Sequence, residues 1–287
     1  MRRTIYGGGA KPASGGGGGG STKYGLSGAD VMGDVNGSGV LQLAAEGTVD
    51  LVFKGVIDLA DDALRSVFTA NRILKSVSFP DLTQISGAYA LYESFYGRAY
   101  NSQSYKKMTA ISFPELVSVT GTSAMYNTFG YNYGLTSVSF PKLTTISGYS
   151  AMNSAFGYCD VTSFNFPELT TISGQQAMRN IFIQNGNLTS GTFPKLATLA
   201  SSSQALYYAF AYCSKLTSLS FPALKSDSFG SYTDQFNSML QNVTGCTVHF
   251  PSNLQSVIGS WASVTGGFGG TNTTVLFDLP ATEEEEE

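Results

Sequence analysis

A phenylalanine–proline dipeptide recurs along this chain at nearly even spacing. Seven of the nine prolines directly follow phenylalanine, and the steps from one of these prolines to the next are 34, 27, 26, 27, 28 and 29 residues. The seven dipeptides begin at Phe79, Phe113, Phe140, Phe166, Phe193, Phe221 and Phe250. A period of about 20 to 50 residues is typical of a solenoid, in which each repeat buries its apolar side against the next one.

Each repeat changes its hydrophobic period once. In the unit that begins at Leu135, apolar and small polar residues alternate as in a β-strand, and Pro141 ends this pattern because proline has no N–H to donate. Apolar residues then fall at i, i+1, i+4 and i+5 from Ala151, which is one face of two helical turns. The sequence therefore predicts an α/β repeat solenoid, a stack of parallel strands each followed by a short helix.

Changes in composition divide the chain into four segments. Residues 1–24 are rich in glycine and predict an attachment or linker segment, because they supply little apolar area for a core. Residues 25–50 predict an N-terminal hairpin or cap, since Asn36-Gly37 between apolar residues is a strong turn signal. Residues 51–280 predict the solenoid, which ends in a C-terminal capping strand. Residues 281–287 form an acidic tail.

The overall charge argues against nucleic acid as a partner. The chain has 16 Lys and Arg and 20 Asp and Glu, so its formal net charge is −4, and only 13% of its residues are charged. A surface of this kind does not create the basic field that phosphate backbones need. No apolar run reaches the roughly 18 to 20 residues of a membrane-spanning helix, so membrane insertion is not expected either.

Residues for catalysis or metal binding are scarce, which predicts a protein that is not an enzyme and has no cofactor. His249 is the only histidine, and the repeat places it on the outer side of a strand. Cys159 and Cys213 occupy the same repeat position as Asn132 and Asn185, which predicts a buried turn whose small side chain caps backbone groups. These two cysteines are two repeats apart, beyond the reach of a disulfide, and are predicted to be free thiols.

The repeat resembles a known family. The pattern LxxVxFPxLxxIxGxxAMxxxFxxC over residues 50 to 280 is similar to the leucine-rich repeats of the BspA-like, Treponema-type class, although its period is longer. That class is found in bacterial surface adhesins and in fibre or decoration proteins of gut bacteriophages. The resemblance implies a non-enzymatic binding protein of a phage or prophage virion that presents its solenoid to a host surface. A bacterial cell-surface adhesin and a purely structural capsid or tail protein are the alternatives.

The expected partners follow from that interpretation. They are a glycan or protein of the host cell surface, other virion proteins contacted through the glycine-rich N-terminus, and two further copies of the chain if it forms a homotrimer as fibres commonly do. The expected location is the virion, with the bacterial cell surface as the alternative. The start of the chain has two arginines but no apolar stretch of the secretory type, so export through such a signal is not expected.

Tyrosines on the predicted helical side are the candidate binding residues. Tyrosine among Ser, Gly and Asn is typical of recognition surfaces, because a rigid amphipathic ring offers much contact area at little entropic cost. One position of the repeat directly follows the buried Leu or Met, and tyrosines on or near the insertion of residues 98–107 lie close to it. The predicted binding residues are Tyr92, Tyr126, Tyr207, Arg179, Tyr96, Tyr100 and Tyr105. The alternative is that these rings shield the core or pack on a neighbouring subunit.

Overall fold

In a computed structural model, the chain forms a solenoid whose successive turns stack through parallel strands. The structure describes residues 2–8, 31–34, 41–43, 48–69, 71, 74–97, 108–199, 204–226, 235–258 and 267–282. Tyr100 and Tyr105, the Asn36-Gly37 turn and the acidic run 283–287 lie outside the described residues.

The first side of the solenoid consists of the predicted parallel strands. They form three sheets in which neighbouring strands pair in parallel register, as in the pairs Phe164 with Val138 and Leu219 with Val248. The strands on this side are β1 (Arg2–Gly8), β4 (Thr48–Lys54), β5 (Leu74–Ser78), β7 (Ala110–Ser112), β9 (Ser137–Ser139), β11 (Ser163–Asn165), β13 (Ser190–Thr192), β15 (Ser218–Ser220), β16 (Thr247–Pro251) and β17 (Thr274–Leu279). The last strand, β17, is the predicted C-terminal one, and it pairs with β16.

A second side follows the Phe-Pro dipeptide and carries a two-residue strand in five successive repeats. These strands are β6 (Gln84–Ile85), β8 (Ser118–Val119), β10 (Thr145–Ile146), β12 (Thr171–Ile172) and β14 (Thr198–Leu199), and they form one parallel sheet in chain order. In each of them the second residue, for example Ile146, is fully buried. The period-2 pattern of the sequence thus continues beyond the proline.

The third side is not helical, and the prediction of a short helix after each strand is wrong. In the repeat that contains Met125, the residues Ser123, Asn127 and Tyr131 have φ values of 49°, 51° and 63°. A left-handed residue at every fourth position breaks an α-helix, so the chain forms a run of tight turns, which we call the turn layer. Among the described residues, helical geometry occurs only in the 3₁₀ helix Ser252–Leu254, in residues 255–258 and at residue 226.

Backbone hydrogen bonds of two kinds alternate along the turn layer. The N–H of Met125 donates to the carbonyl of Ala151 in the next repeat, at 2.6 Å, whereas the N–H of Tyr126 donates to Ser123 within its own turn, at 3.2 Å. The N–H of Asn127 again donates to the next repeat, to the Asn153 carbonyl at 3.0 Å. This alternation lets the turn layer stack like a sheet while each turn also closes on itself, so its buried amides are satisfied without a helix.

Two stacks of phenylalanine rings run along the core between these sides. The rings of the Phe-Pro dipeptides, preceded by Phe53, stack with centroids 4.5 to 6.1 Å apart. The second stack contains the phenylalanines that lie four residues after the buried Leu or Met, and its spacing is 5.5 to 5.8 Å. Its members are Phe68, Phe95, Phe129, Phe156, Phe182 and Phe210. These rings are nearly inaccessible to solvent, so the predicted core positions are confirmed.

The shared position of cysteine and asparagine is a backbone cap, as predicted. The Nδ2 atom of Asn185 donates to the carbonyls of Phe156 and Phe182 at 2.8 and 2.9 Å. The thiol of Cys159 donates to the Phe129 carbonyl at 3.2 Å, and that of Cys213 makes the same contact with Phe182. Both cysteines are buried and free.

The N-terminal residues that the structure describes are strands. Strand β1 pairs in parallel with β4, so the first residues of the glycine-rich segment extend the sheet. Strands β2 (Val31–Asp34) and β3 (Leu41–Leu43) pair antiparallel, which is the arrangement expected for a hairpin. The division of the chain into four segments otherwise stays a prediction. No helix in the described part of the chain is long and apolar enough to cross a bilayer.

Candidate functional site

Four of the predicted binding residues lie in one column of the turn layer. Tyr92, Tyr126, Arg179 and Tyr207 each follow the buried Leu or Met of their repeat, and each side chain is half-buried. Three further residues at the same repeat position complete the column. We call these seven residues the turn-face column: Arg65, Tyr92, Tyr126, Asn153, Arg179, Tyr207 and Asn237. Sequence reasoning left out Arg65, although its place directly after Leu64 could have identified it.

Neighbouring side chains of the turn-face column stack face to face. The rings of Tyr92 and Tyr126 are 4.9 Å apart and within 7° of parallel. The Arg65 guanidinium lies 5.1 Å from the centre of the Tyr92 ring, and the Arg179 guanidinium lies 4.7 Å from that of Tyr207. At least one face of each of these three rings is therefore covered by a neighbouring side chain. Such aromatic and cation–π pairs each stabilise a site by about 0.5 to 1.5 kcal/mol.

Polar partners fix the two arginines of the turn-face column. The Arg65 Nη1 atom donates to Asp62 at 3.0 Å, in an exposed i,i+3 ion pair. The Arg179 Nη1 atom donates to Oε1 of Gln204 at 3.3 Å. A guanidinium held on an aromatic ring and by a neighbouring side chain loses little further entropy when it binds a ligand, which favours a preformed site.

The hydroxyls of Tyr92 and Tyr207 are neutral at physiological pH, because a tyrosine has a pKa of about 10 even when it is exposed. Desolvation raises the pKa of Tyr92, and the neighbouring Glu93 carboxylate raises it further. Desolvation also raises the pKa of Tyr207, whose hydroxyl hydrogen-bonds with Tyr208. The Tyr92 hydroxyl can therefore donate a hydrogen bond to an oxygen atom of a ligand.

Tyr96 belongs to a second tyrosine cluster, one step further along the turn layer. Its ring packs edge-on against Tyr131 at 5.2 Å, and Tyr131 stacks on Tyr158 at 4.3 Å. Burial, together with contacts to Tyr96 and Tyr158, raises the pKa of Tyr131. The structure thus brings Tyr96 together with Tyr131, Tyr133 and Tyr158 and not with the stacked rings of the turn-face column.

The strand side offers a different surface, made of small hydroxyl and amide groups. Ser112, Ser139, Asn165, Thr192 and Ser220 are exposed or half-exposed on the first side of the solenoid. His249 extends this row, and its Nδ1 atom lies 3.0 Å from both carboxylate oxygens of Asp278 on the last strand. In the part of the chain that the structure describes, no group of three His, Cys, Asp or Glu side chains could hold a metal ion.

Comparisons with known proteins give one structural likeness. No protein-family model matches the sequence, and no curated protein matches it. Among solved structures, a leucine-rich repeat protein of T. pallidum aligns with a TM-score of 0.41 and 16% sequence identity, over 82% of this chain and 91% of that chain. The parallel solenoid of the present chain rests on its own strand pairing.

Proposed function

We propose that the protein is a non-enzymatic binding protein whose turn-face column contacts a glycan or protein of a host cell surface. The observation that carries this proposal is the stack of tyrosines and arginines on the turn layer. It combines rigid aromatic groups with guanidinium and hydroxyl donors at a regular spacing, which is the chemistry of recognition surfaces.

The contrast between the two sides of the solenoid supports this choice of surface. The strand side presents only small polar groups next to His249, and small groups give a partner little area to bury. The turn-face column presents large side chains that are half-exposed and held by their neighbours. A partner that binds there meets side chains whose conformations are already fixed, which reduces the entropic cost of association.

For the biological setting we propose a fibre, decoration or adhesin component of a phage or prophage virion. The resemblance of the repeat to those proteins motivates this proposal, and the glycine-rich segment would contact other virion proteins. A bacterial cell-surface adhesin is the alternative, and a capsid or tail protein whose solenoid only packs on neighbours is the third candidate. Mass spectrometry distinguishes these candidates. Detection of the chain in purified particles, and not in the envelope fraction of a phage-free culture, would favour a virion fibre component or a capsid or tail protein over a cell-surface adhesin.

Substitution of the column tests the binding function. Tyr92→Ser and Tyr207→Ser, combined in one variant, should abolish attachment of the fluorescently labelled protein to a panel of bacterial cells. Tyr149→Ser is the matched control, because this tyrosine is 49% exposed but lies outside the column. Melting temperatures of all variants show whether they are folded. Unchanged attachment of a folded column variant would refute the proposal.

A further inference from the structure

The turn-face column is interrupted at one internal position, Asn153. Its neighbours on the two sides are Tyr126 in the preceding repeat and Arg179 in the following one, as the hydrogen bonds of the turn layer place them. The Tyr126 ring is stacked on Tyr92, and the Arg179 guanidinium is stacked on Tyr207. Each therefore has one face engaged by its outer neighbour and the other face directed toward Asn153.

We propose that this interruption is a slot for one pyranose ring of a glycan, with Tyr126 and Arg179 as its two walls and Asn153 as its floor. This inference deepens the proposed function, because it rests on the turn-face column being the binding surface and names the chemical group that the column binds.

The width of the slot has room for one six-membered ring, including a puckered one. Tyr126 and Arg179 are two repeats apart, which is about 10 Å at the strand spacing of about 4.8 Å. A flat aromatic ring in contact with both walls needs about 7 to 8 Å, since carbon atoms touch at about 3.5 to 4.0 Å. The remaining distance of about 2 Å matches the additional thickness of a pyranose chair with its axial hydrogens. These hydrogens would face the Tyr126 ring.

The floor provides an unused hydrogen-bond donor. Asn153 is 6% exposed, and its Oδ1 atom accepts a hydrogen bond from Ser154 Oγ at 2.9 Å. Its Nδ2 atom has no hydrogen-bond acceptor among the residues that the structure describes. This atom is not completely enclosed by the protein, so a ligand can reach it. An accessible amide donor without a partner in the protein can donate to a ligand oxygen that takes the place of water.

The Arg179 wall adds further donors. Of its five N–H groups, one donates to Gln204, and the guanidinium carbon lies 4.7 Å from the centre of the Tyr207 ring. The remaining donors can bind ring and hydroxyl oxygens of a sugar. A carboxylate on the sugar ring would strengthen this contact, because guanidinium and carboxylate pair with two hydrogen bonds.

A second asparagine of the column provides a matched control. Asn237 follows Tyr207 in the column, and its Oδ1 atom also accepts a hydrogen bond from the next residue, Ser238, at 2.9 Å. Only one wall borders it, because the equivalent position of the following turn is Gly267. Asn237→Tyr would therefore add a ring at the end of the stack, whereas Asn153→Tyr would fill the slot with a ring from the protein itself.

The experiment measures the binding of small probes to the full chain by saturation-transfer NMR and calorimetry. The probes are methyl β-D-glucopyranoside, methyl β-D-galactopyranoside and glucuronic acid, with sorbitol as the open-chain polyol and benzyl alcohol as the flat ring. We expect saturable binding of at least one pyranose, about tenfold or more weaker in Asn153→Tyr and within about twofold of wild type in Asn237→Tyr. An unchanged or raised melting temperature of Asn153→Tyr shows that the filled stack is folded.

Three results would overturn the slot. They are the absence of binding to any of the pyranoses, equal binding in the two asparagine variants, and binding of benzyl alcohol in preference to every pyranose. Cell attachment separates this inference from the proposed function. If Asn153→Tyr attaches normally while the Tyr92→Ser and Tyr207→Ser variant does not, the slot is refuted and the proposed function stands. If all variants attach normally, the proposed function itself is refuted.

Discussion

Phe164 and Gly191 are predicted to compensate each other's size across two neighbouring strands. The inner position of the main strands is otherwise aliphatic, as Val138 and Leu219 show, but β11 has phenylalanine there and β13 has glycine. A Cβ atom added to Gly191 would lie 2.3 Å from the Cζ atom of the Phe164 ring. The ring therefore occupies the space that a side chain of the next repeat would fill.

The magnitude follows from what each single change leaves behind. Phe164→Val removes a ring that stacks on Phe182 at 4.8 Å and contacts the tilted Phe193 ring at 5.2 Å. The change should cost about 2 to 3 kcal/mol, less than the roughly 3 to 5 of a Phe→Ala change. Gly191→Val forces the ring to move and should cost about 2 to 3 kcal/mol by overpacking. The double variant restores an aliphatic pair and should cost less than about 2 kcal/mol, so the coupling is about 3 kcal/mol.

Equilibrium unfolding in urea tests this prediction on the two single variants and the double variant. The slope of the unfolding free energy against urea must be the same in all of them for the midpoints to be comparable, because repeat proteins do not always unfold in one step. Gly191→Val combined with Val77→Ala is the control, since these sites are several repeats apart and their costs should add. Costs of Phe164→Val and Gly191→Val that add within about 0.5 kcal/mol would refute the compensation.

Three further predictions concern single positions. Gly148→Ala should destabilise the protein by more than about 2 kcal/mol in urea titrations, because the added Cβ would lie 2.2 Å from the carbonyl oxygen of Gly121. Gly186→Ala should be tolerated, because the added Cβ would meet only a side-chain oxygen at 3.4 Å. Equal costs of the two changes would contradict this prediction. Asn185→Ala should cost about 2 to 3 kcal/mol by thermal or urea unfolding, since it leaves the Phe156 carbonyl and the Val161 N–H without their side-chain partner, and Asn185→Cys should cost less because cysteine fills this position in neighbouring repeats. Burial raises the pKa of Cys159 to about 12, and the unfolded thiol titrates near about 8.5, so the folded state binds more protons between these values. The unfolding free energy should be fully retained below about pH 8.5 and should fall as the pH rises toward 12, and this fall should be less steep in Cys159→Asn. Urea midpoints of both proteins from about pH 7 to about pH 10.5 measure the effect. The same change of midpoint with pH in both proteins would contradict it.

The sequence predicted the parallel strands, the core and the capping position because each depends on a strict local pattern. Phenylalanine before proline marks the end of a strand in seven repeats, and the exchange of asparagine with cysteine identifies a buried site that needs a small donor. Free thiols at Cys159 and Cys213 followed from the repeat spacing. These features need only the period and the alternation of residues, both of which are visible in one sequence.

The predicted helix was wrong because two structures share its pattern. Apolar residues at i, i+1, i+4 and i+5 fit one face of a helix of period 3.6, but they equally fit tight turns that repeat every four residues. The left-handed positions could have revealed the difference. All non-glycine residues with positive φ in the described part of the chain are Ser, Asn, Asp, Gln, Glu or Tyr, and none is β-branched. A four-residue spacing that avoids valine, isoleucine and threonine is therefore a sequence signal for this kind of turn layer.

The candidate site was predictable in its position but not in its geometry. The place after the buried Leu or Met identified Tyr92, Tyr126, Arg179 and Tyr207 as outward-facing neighbours. Whether such rings stack on one another or stand apart depends on side-chain rotamers, which the period does not determine. The gap at Asn153 acquires meaning only from the stacked pairs on either side of it.

The hydrogen bonding of the turn layer explains how such a surface can vary without harm to the core. Backbone hydrogen bonds hold one turn on the next, for example from Asn127 N–H to the Asn153 carbonyl, and buried side chains such as the capping Asn185 add to them. Within one repeat the residue before the column, such as Leu206, is fully buried, while the residue at the column, here Tyr207, is half-exposed. A change of the outward residue therefore alters the spacing of rings and gaps along the column but leaves the core stack intact. Ligand specificity in this architecture would be set by which repeats carry a large side chain and which carry a small one.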